Sequence, residues 1–77
     1  MEQKELIKKV GVFCKDFRIK HLDMSLTEFC NITGLNIKNV SAFEHGRANN
    51  IQYLFRYYRI CNDSLKKRFA SELFKIL

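Results

Sequence analysis

An all-α domain of five helices is the fold this sequence predicts, and three observations carry the expectation. No proline interrupts the chain, and 47% of its residues are hydrophobic. Apolar residues recur at steps of three and four over most of its length, the period of one helix face. Side chains that cap helices and glycines that end them stand at the borders of these stripes. The 77 residues make a single domain, 1–77, with one small core. A chain this short buries only about 60–65% of its unfolded surface.

The first helix is expected from about Gln3 to His21. Leu6, Val10, Phe13 and Phe17 form its stripe, which Ile7 and Cys14 widen. Gly11 interrupts the stripe at a cost of roughly 0.5–1 kcal/mol relative to alanine, and close approach of another helix is one explanation. Lys8, Lys15 and Arg18 occupy other faces, and His21-Leu22-Asp23 breaks into a loop. Ser25 with Glu28 reads as a capping box, in which each residue's side chain bonds the other's backbone N–H. The second helix then has Phe29, Cys30 and Ile32 as its apolar positions and stops at Gly34. Asn36 can cap a third helix, with Val40 and Phe43 on one face, which ends at Gly46. After a polar loop, Arg47–Asn50, a fourth helix runs to about Ile60 with Ile51, Leu54, Phe55 and Tyr58 facing inward. Asn62-Asp63 makes a turn and an N-cap, and the last helix, about 63–76, carries Leu65, Phe69, Leu73 and Leu77 at four-residue steps. That helix holds more apolar surface than a terminal element of so small a domain needs. Leu65 and Phe69 are expected in the core, and Phe74, Ile76 and Leu77 at a two-fold interface.

Fourteen basic residues against eight acidic ones give a net charge of +6, a balance that favours a polyanionic partner. The three cysteines, Cys14, Cys30 and Cys61, lack metal-ligand spacing and sit among apolar residues, so buried reduced thiols are expected. The N-terminus is too charged for a signal peptide, and no apolar run approaches membrane-spanning length. A cytoplasmic protein without membrane association is therefore expected. His21 and His45 are isolated, with no nucleophile–base set around them. No enzyme activity, metal or cofactor is expected.

The stretch Ser25–Gly46, SLTEFCNITGLNIKNVSAFEHG, has the spacing of a helix-turn-helix, a unit that presents its second helix to the DNA major groove. Over Met24–Asn50, about a third of the chain, it resembles the Cro/repressor (XRE-like) family of phage, plasmid and mobile-element regulators. Cys30 stands where that family packs a small residue against the turn. Gly34 matches the turn glycine, Leu35 the apolar plug, and Val40 and Phe43 the buried residues of the recognition helix. Glu44…Gly46 followed by Arg47 and Asn49 is similar to the family's Glu-x-Gly-basic ending. The resemblance implies a five-helix lambda-repressor-like DNA-binding domain with the helix-turn-helix at helices 2 and 3. It also implies that Glu44 pairs internally with an arginine of the first helix. Arg18 is the nearest candidate, across a connection one residue longer than the family's. One position departs from the pattern: the family's phosphate-touching glutamine is here Leu26.

Carried over by position, the base-contacting candidates are Ile37, Lys38, Ser41 and Ala42 in a recognition helix of about 37–45. Lys38 can donate to guanine O6 and N7, and Ile37 and Ala42 can sit against thymine methyls. The phosphate candidates are Thr27, Asn36, Asn39, Arg47 and Asn49, with Asn36 also a cap. Against this, Lys38 is the only lysine or arginine between Met24 and Gly46, so the motif itself is not electropositive. Tyr53, Tyr57 and Tyr58 interleave with Arg56 and Arg59, a pattern seen in single-strand binding. Core on one face and snorkelling arginines on the other explain it more simply.

Two functional readings follow. In the first, the chain is a sequence-specific double-stranded-DNA-binding transcriptional regulator, a repressor acting as a homodimer on a pseudo-palindromic operator. In the second, the same fold is a protein-interaction module that inhibits or antagonises a host enzyme or another regulator. Leu26, an exposed Ile37 and the weak charge of the motif lean towards the second.

Overall fold

The computed structural model describes residues 3–77, and among these every regular element is helical. Five α-helices follow one another: α1 (Gln3–Phe17), α2 (Leu26–Thr33), α3 (Ile37–Glu44), α4 (Leu54–Ile60) and α5 (Asp63–Ile76). A π-helical turn, Arg18–Leu22, extends α1, and a 3₁₀ turn, Ile51–Tyr53, leads into α4. The side-chain caps fall where short-range chemistry puts them. Ser25 and Glu28 form a reciprocal capping box, Asn36 accepts from two backbone N–H groups of α3, and Asn62 caps α5 through Leu65 N–H.

Every helix contributes to one core. Val10, Cys14 and Phe17 of α1 meet Phe29 and Cys30 of α2, Val40 and Phe43 of α3, Tyr57 of α4, Cys61, and Phe69 of α5. Aromatic pairs knit it: Phe29 stacks on Tyr57 at 4.3 Å between centroids, and Phe17 meets Phe69 edge-on at 5.0 Å. All three cysteines are free and buried, and burial pushes each thiol above its ordinary pKa.

Gly11 has a packing reason. A Cβ at this position would run into the Phe43 carbonyl oxygen, so α1 and α3 touch backbone to backbone here. Only glycine allows that approach, which accounts for its place inside an otherwise good helix.

Three expectations from the sequence change on folding. The first helix does not stay α-helical to His21 but widens into the π turn from Arg18, where the Asp23 N–H reaches the Arg18 carbonyl five residues back. Such a turn accommodates one residue more than an α turn. In the 3₁₀ turn and α4 the inward residues are Tyr53, Leu54, Tyr57 and Ile60, whereas Ile51, Phe55 and Tyr58 are exposed. Both stripes share Leu54, and packing selects between them: Tyr57, not Phe55 or Tyr58, takes the side that meets Phe29 and Phe43. Ile32 stands 61% exposed although Phe29, three residues before it, is fully buried. In α5 Phe69 is buried and Leu65 and Leu73 pack beside it, while Leu77, expected at an interface, lies just beyond the helix end and is exposed.

Candidate functional site

The site is built around α3, and what fixes α3 is a polar network inside the core. Arg18 and Glu44 are 5% and 2% exposed, so neither charge is open to water. Arg18 donates from Nε to Glu44 Oε2 and from Nη2 to Oε1, both at 2.9 Å, a bidentate fork. Its remaining nitrogen, Nη1, donates to the Met24 carbonyl at 2.8 Å. Tyr57 Oη donates to Glu44 Oε2 at 2.7 Å. Among the described residues no buried side-chain polar atom lacks a partner. A buried pair is tolerable on that condition, because the loss of hydration is then met on every side. The Glu44 hydrogen bond pushes the Arg18 guanidinium pKa up, and burial followed by the same carboxylate pushes the Tyr57 phenol up. The network ties α1 and α4 to the last residue of α3. Arg18 is the first residue of the π turn and reaches Glu44 from there.

With that face anchored, the other face of α3 is free. Ile37 is 44% exposed and Lys38 is exposed, both in the first turn. Ser41 and Ala42, one turn later, are half-buried. The four therefore follow one another along α3, with Ile37 and Lys38 projecting furthest. Asn36 is exposed but committed: its Oδ1 accepts from Lys38 N–H at 2.9 Å and from Asn39 N–H at 3.2 Å. Its amide nitrogen is left for an outside acceptor. Thr27 is exposed in the first turn of α2 and Asn39 in the first turn of α3. The turn between the two helices closes with Gly34 N–H on the Cys30 carbonyl at 2.9 Å. Leu26 is half-buried and packs against the core, so the residue at that position serves the interior.

Arg47 and Asn49 are exposed in the loop after α3, where Arg47 N–H bonds the Ala42 carbonyl at 2.8 Å. They share a cleft with Lys4 and Lys8 of α1. Sequence reasoning did not bring these two lysines to the site. The signal available was their four-residue spacing upstream of Gly11, which has meaning only once α3 is known to be the helix that Gly11 touches. Tyr57 lies off the stripe expected to face inward, and nothing local marks it as the partner of Glu44.

The interface candidates lie elsewhere. Phe74 and Leu77 are 75% and 62% exposed. Ile76 is half-buried and lines, with Val12 and Phe13, a groove of about 600 Å³ between α1 and α5. Among the described residues no group of histidine, cysteine and carboxylate side chains is placed to hold a metal ion. No helix there is long and apolar enough to cross a membrane. Set against family models, curated proteins and solved structures, the chain matches none of them.

Proposed function

We propose that the chain is a sequence-specific duplex-DNA-binding regulator, a repressor of the Cro/repressor type built on a lambda-repressor-like domain. One observation carries the reading: α3 is held rigidly on one side by Val40, Phe43 and Glu44 and leaves Ile37 and Lys38 standing out on the other. An exposed isoleucine next to an exposed lysine at a capped helix start suits a surface that meets base edges, one by thymine methyl contact and one by hydrogen bonding. The Arg18–Glu44 pair, which the family resemblance implies, supports the same reading. In this view α2 and α3 are the helix-turn-helix, Ile37, Lys38, Ser41 and Ala42 face the bases, and Thr27, Asn36, Asn39, Arg47 and Asn49 hold phosphates. A homodimer formed through Phe74, Ile76 and Leu77 would set two recognition helices about 34–36 Å apart.

The deciding experiment is a binding titration at two salt concentrations, comparing promoter DNA from the protein's own locus with a scrambled duplex. Binding that prefers the promoter fragment and weakens with salt is expected. Lys38→Ala is expected to cost about 1–3 kcal/mol on the promoter and much less on the scrambled duplex. Equal losses on both would reassign Lys38 to the backbone.

The position of Leu26 favours a second reading, a protein-interaction module in which α3 captures a host enzyme or another regulator. Its side chain packs inward and offers no hydrogen bond to a phosphate. Equal or absent binding to both duplexes, with partner capture that Ile37→Ala abolishes, would put this reading first.

A further inference from the structure

We infer that the cleft between the N-terminal half of α1 and the loop after α3 is a phosphate site, in which Lys4, Lys8 and Arg47 hold one phosphodiester of the DNA backbone beyond the end of α3. The inference rests on the duplex-binding reading and adds two residues of α1 to it. The cleft has a volume of about 420 Å³, and Lys4, Ile7, Lys8, Gly46, Arg47 and Asn49 line it.

Its construction follows from two glycines. Gly11 lets α1 lie directly on the end of α3, which brings the preceding turns of α1 alongside the loop. Lys4 and Lys8 are four apart and therefore on one face of α1. Gly46 turns the chain with φ 73°, and a Cβ there would come within 2.9 Å of the Lys8 Cγ. The loop backbone is thus seated on the aliphatic stem of Lys8, while the residue as a whole stays exposed at its charged end. A lysine stem pinned in this way has lost part of its freedom before any anion arrives, so less is lost on binding.

The electrostatics point the same way. Three cations line the cleft, and no carboxylate does among the described residues. Among the described residues the ion pairs are Arg18–Glu44 and Arg68–Glu72, both outside the cleft, and neither involves these three. Like charges gathered without a counter-charge repel one another, and an anion seated among them relieves that repulsion. Asn49 adds an amide that can donate to a phosphate oxygen. Placement suits a backbone phosphate in particular. The eight residues of α3 make it about 12 Å long, close to the width of the major groove. Its start and the loop beyond its end then address opposite walls of that groove. The cleft would also supply the positive charge that the stretch from Met24 to Gly46 lacks.

The test is the double variant Lys4→Gln, Lys8→Gln, in which glutamine keeps the methylenes that cover Gly46. Promoter and scrambled duplexes are titrated over a series of salt concentrations with the wild type, this variant, and the control Lys66→Gln, Lys67→Gln on α5. Loss of one phosphate contact is expected to lower the slope of log K against log salt by about 0.9, equally on both duplexes. The ratio of the two affinities should stay unchanged. An unaltered slope, or an equal drop in the control, overturns the inference. In a second arm inorganic phosphate is titrated while the amide resonances of Gly46, Arg47, Ala48 and Asn49 are followed by NMR. Saturable shifts that the double variant loses support the site. Such shifts with an unaltered duplex slope would assign the cleft to free phosphate and overturn the DNA-backbone source. If the wild type binds neither duplex, the regulator reading fails, and the DNA-backbone source with it. The phosphate titration then decides separately whether the cleft takes an anion.

Discussion

The described residues contain two arginine–glutamate pairs of nearly equal length in opposite settings. Arg18 and Glu44 meet at 2.9 Å with side chains 6% and 1% exposed. Arg68 and Glu72 meet at 2.8 Å on the surface of α5, with side chains 59% and 35% exposed. Distance alone would rank them together. Their surroundings separate them, because water can replace either partner of the outer pair and neither partner of the inner one. The inner pair also joins residues 26 apart in sequence and takes a third partner, Tyr57. The outer pair links successive turns of one helix. The first holds the tertiary arrangement that orients α3, and the second decorates a helix that forms without it.

Removing one partner from each pair is the direct way to break this comparison. Glu44→Ala leaves the Arg18 charge buried without a counter-charge and Tyr57 without its acceptor, at an expected cost of about 3–5 kcal/mol. A domain of this size has on the order of 4–12 kcal/mol in total, so urea unfolding should shift to a far lower midpoint or show no native baseline. An unchanged midpoint would mean that the interior relaxes enough to admit water.

Tyr57→Phe isolates the third partner, with an expected loss of about 1.5–3 kcal/mol at neutral pH. It also carries a pH signature. Burial and Glu44 hold the Tyr57 phenol protonated, so above the ordinary tyrosine value of 10.0 the folded chain keeps a proton that the unfolded chain releases. Stability from this group is complete below that pH and falls as pH rises past it. Melting temperatures followed from pH 8 upward should therefore decline less steeply in the phenylalanine variant. What decline persists starts nearer 9.0, where the buried Cys14 thiol enters by the same sign.

Gly11→Ala tests the backbone contact beside the network. In an exposed helix this change stabilises by about 0.5–1 kcal/mol. Here the added methyl meets the Phe43 carbonyl, and overpacking of this kind costs about 1–3 kcal/mol. A lower melting temperature is expected, with weaker promoter binding if α3 is displaced. A higher one would show that α1 and α3 can separate freely. Last and smallest, Glu72→Gln should leave the urea midpoint where it was, since exposed pairs contribute little and salt screens them.

Much of this fold is legible residue by residue. The capping box at Ser25 and Glu28, the Asn36 cap and the Gly34 turn lie within a few positions of what they satisfy, so sequence spacing suffices to find them. The exposed start of α3, Ile37 and Lys38, was legible for a related reason: once Val40 and Phe43 point inward, helical geometry fixes which residues point out. The inward face of α4 was not legible, because Phe55 with Tyr58 and Tyr57 with Ile60 both lie at helical spacing from Leu54, and only packing against Phe29 and Phe43 selects the second pair.

The all-helical character, the five segments, their caps and the exposed start of α3 were therefore determined by sequence alone, through interactions that span at most one or two helical turns. Tertiary structure decided what depends on distant residues meeting. It buried Arg18 against Glu44 and added Tyr57, gave Gly11 its neighbour, turned Ile51, Phe55 and Tyr58 outward, and set Lys4 and Lys8 beside Arg47. Each of these rests on a contact between elements, and such contacts depend on how whole helices pack.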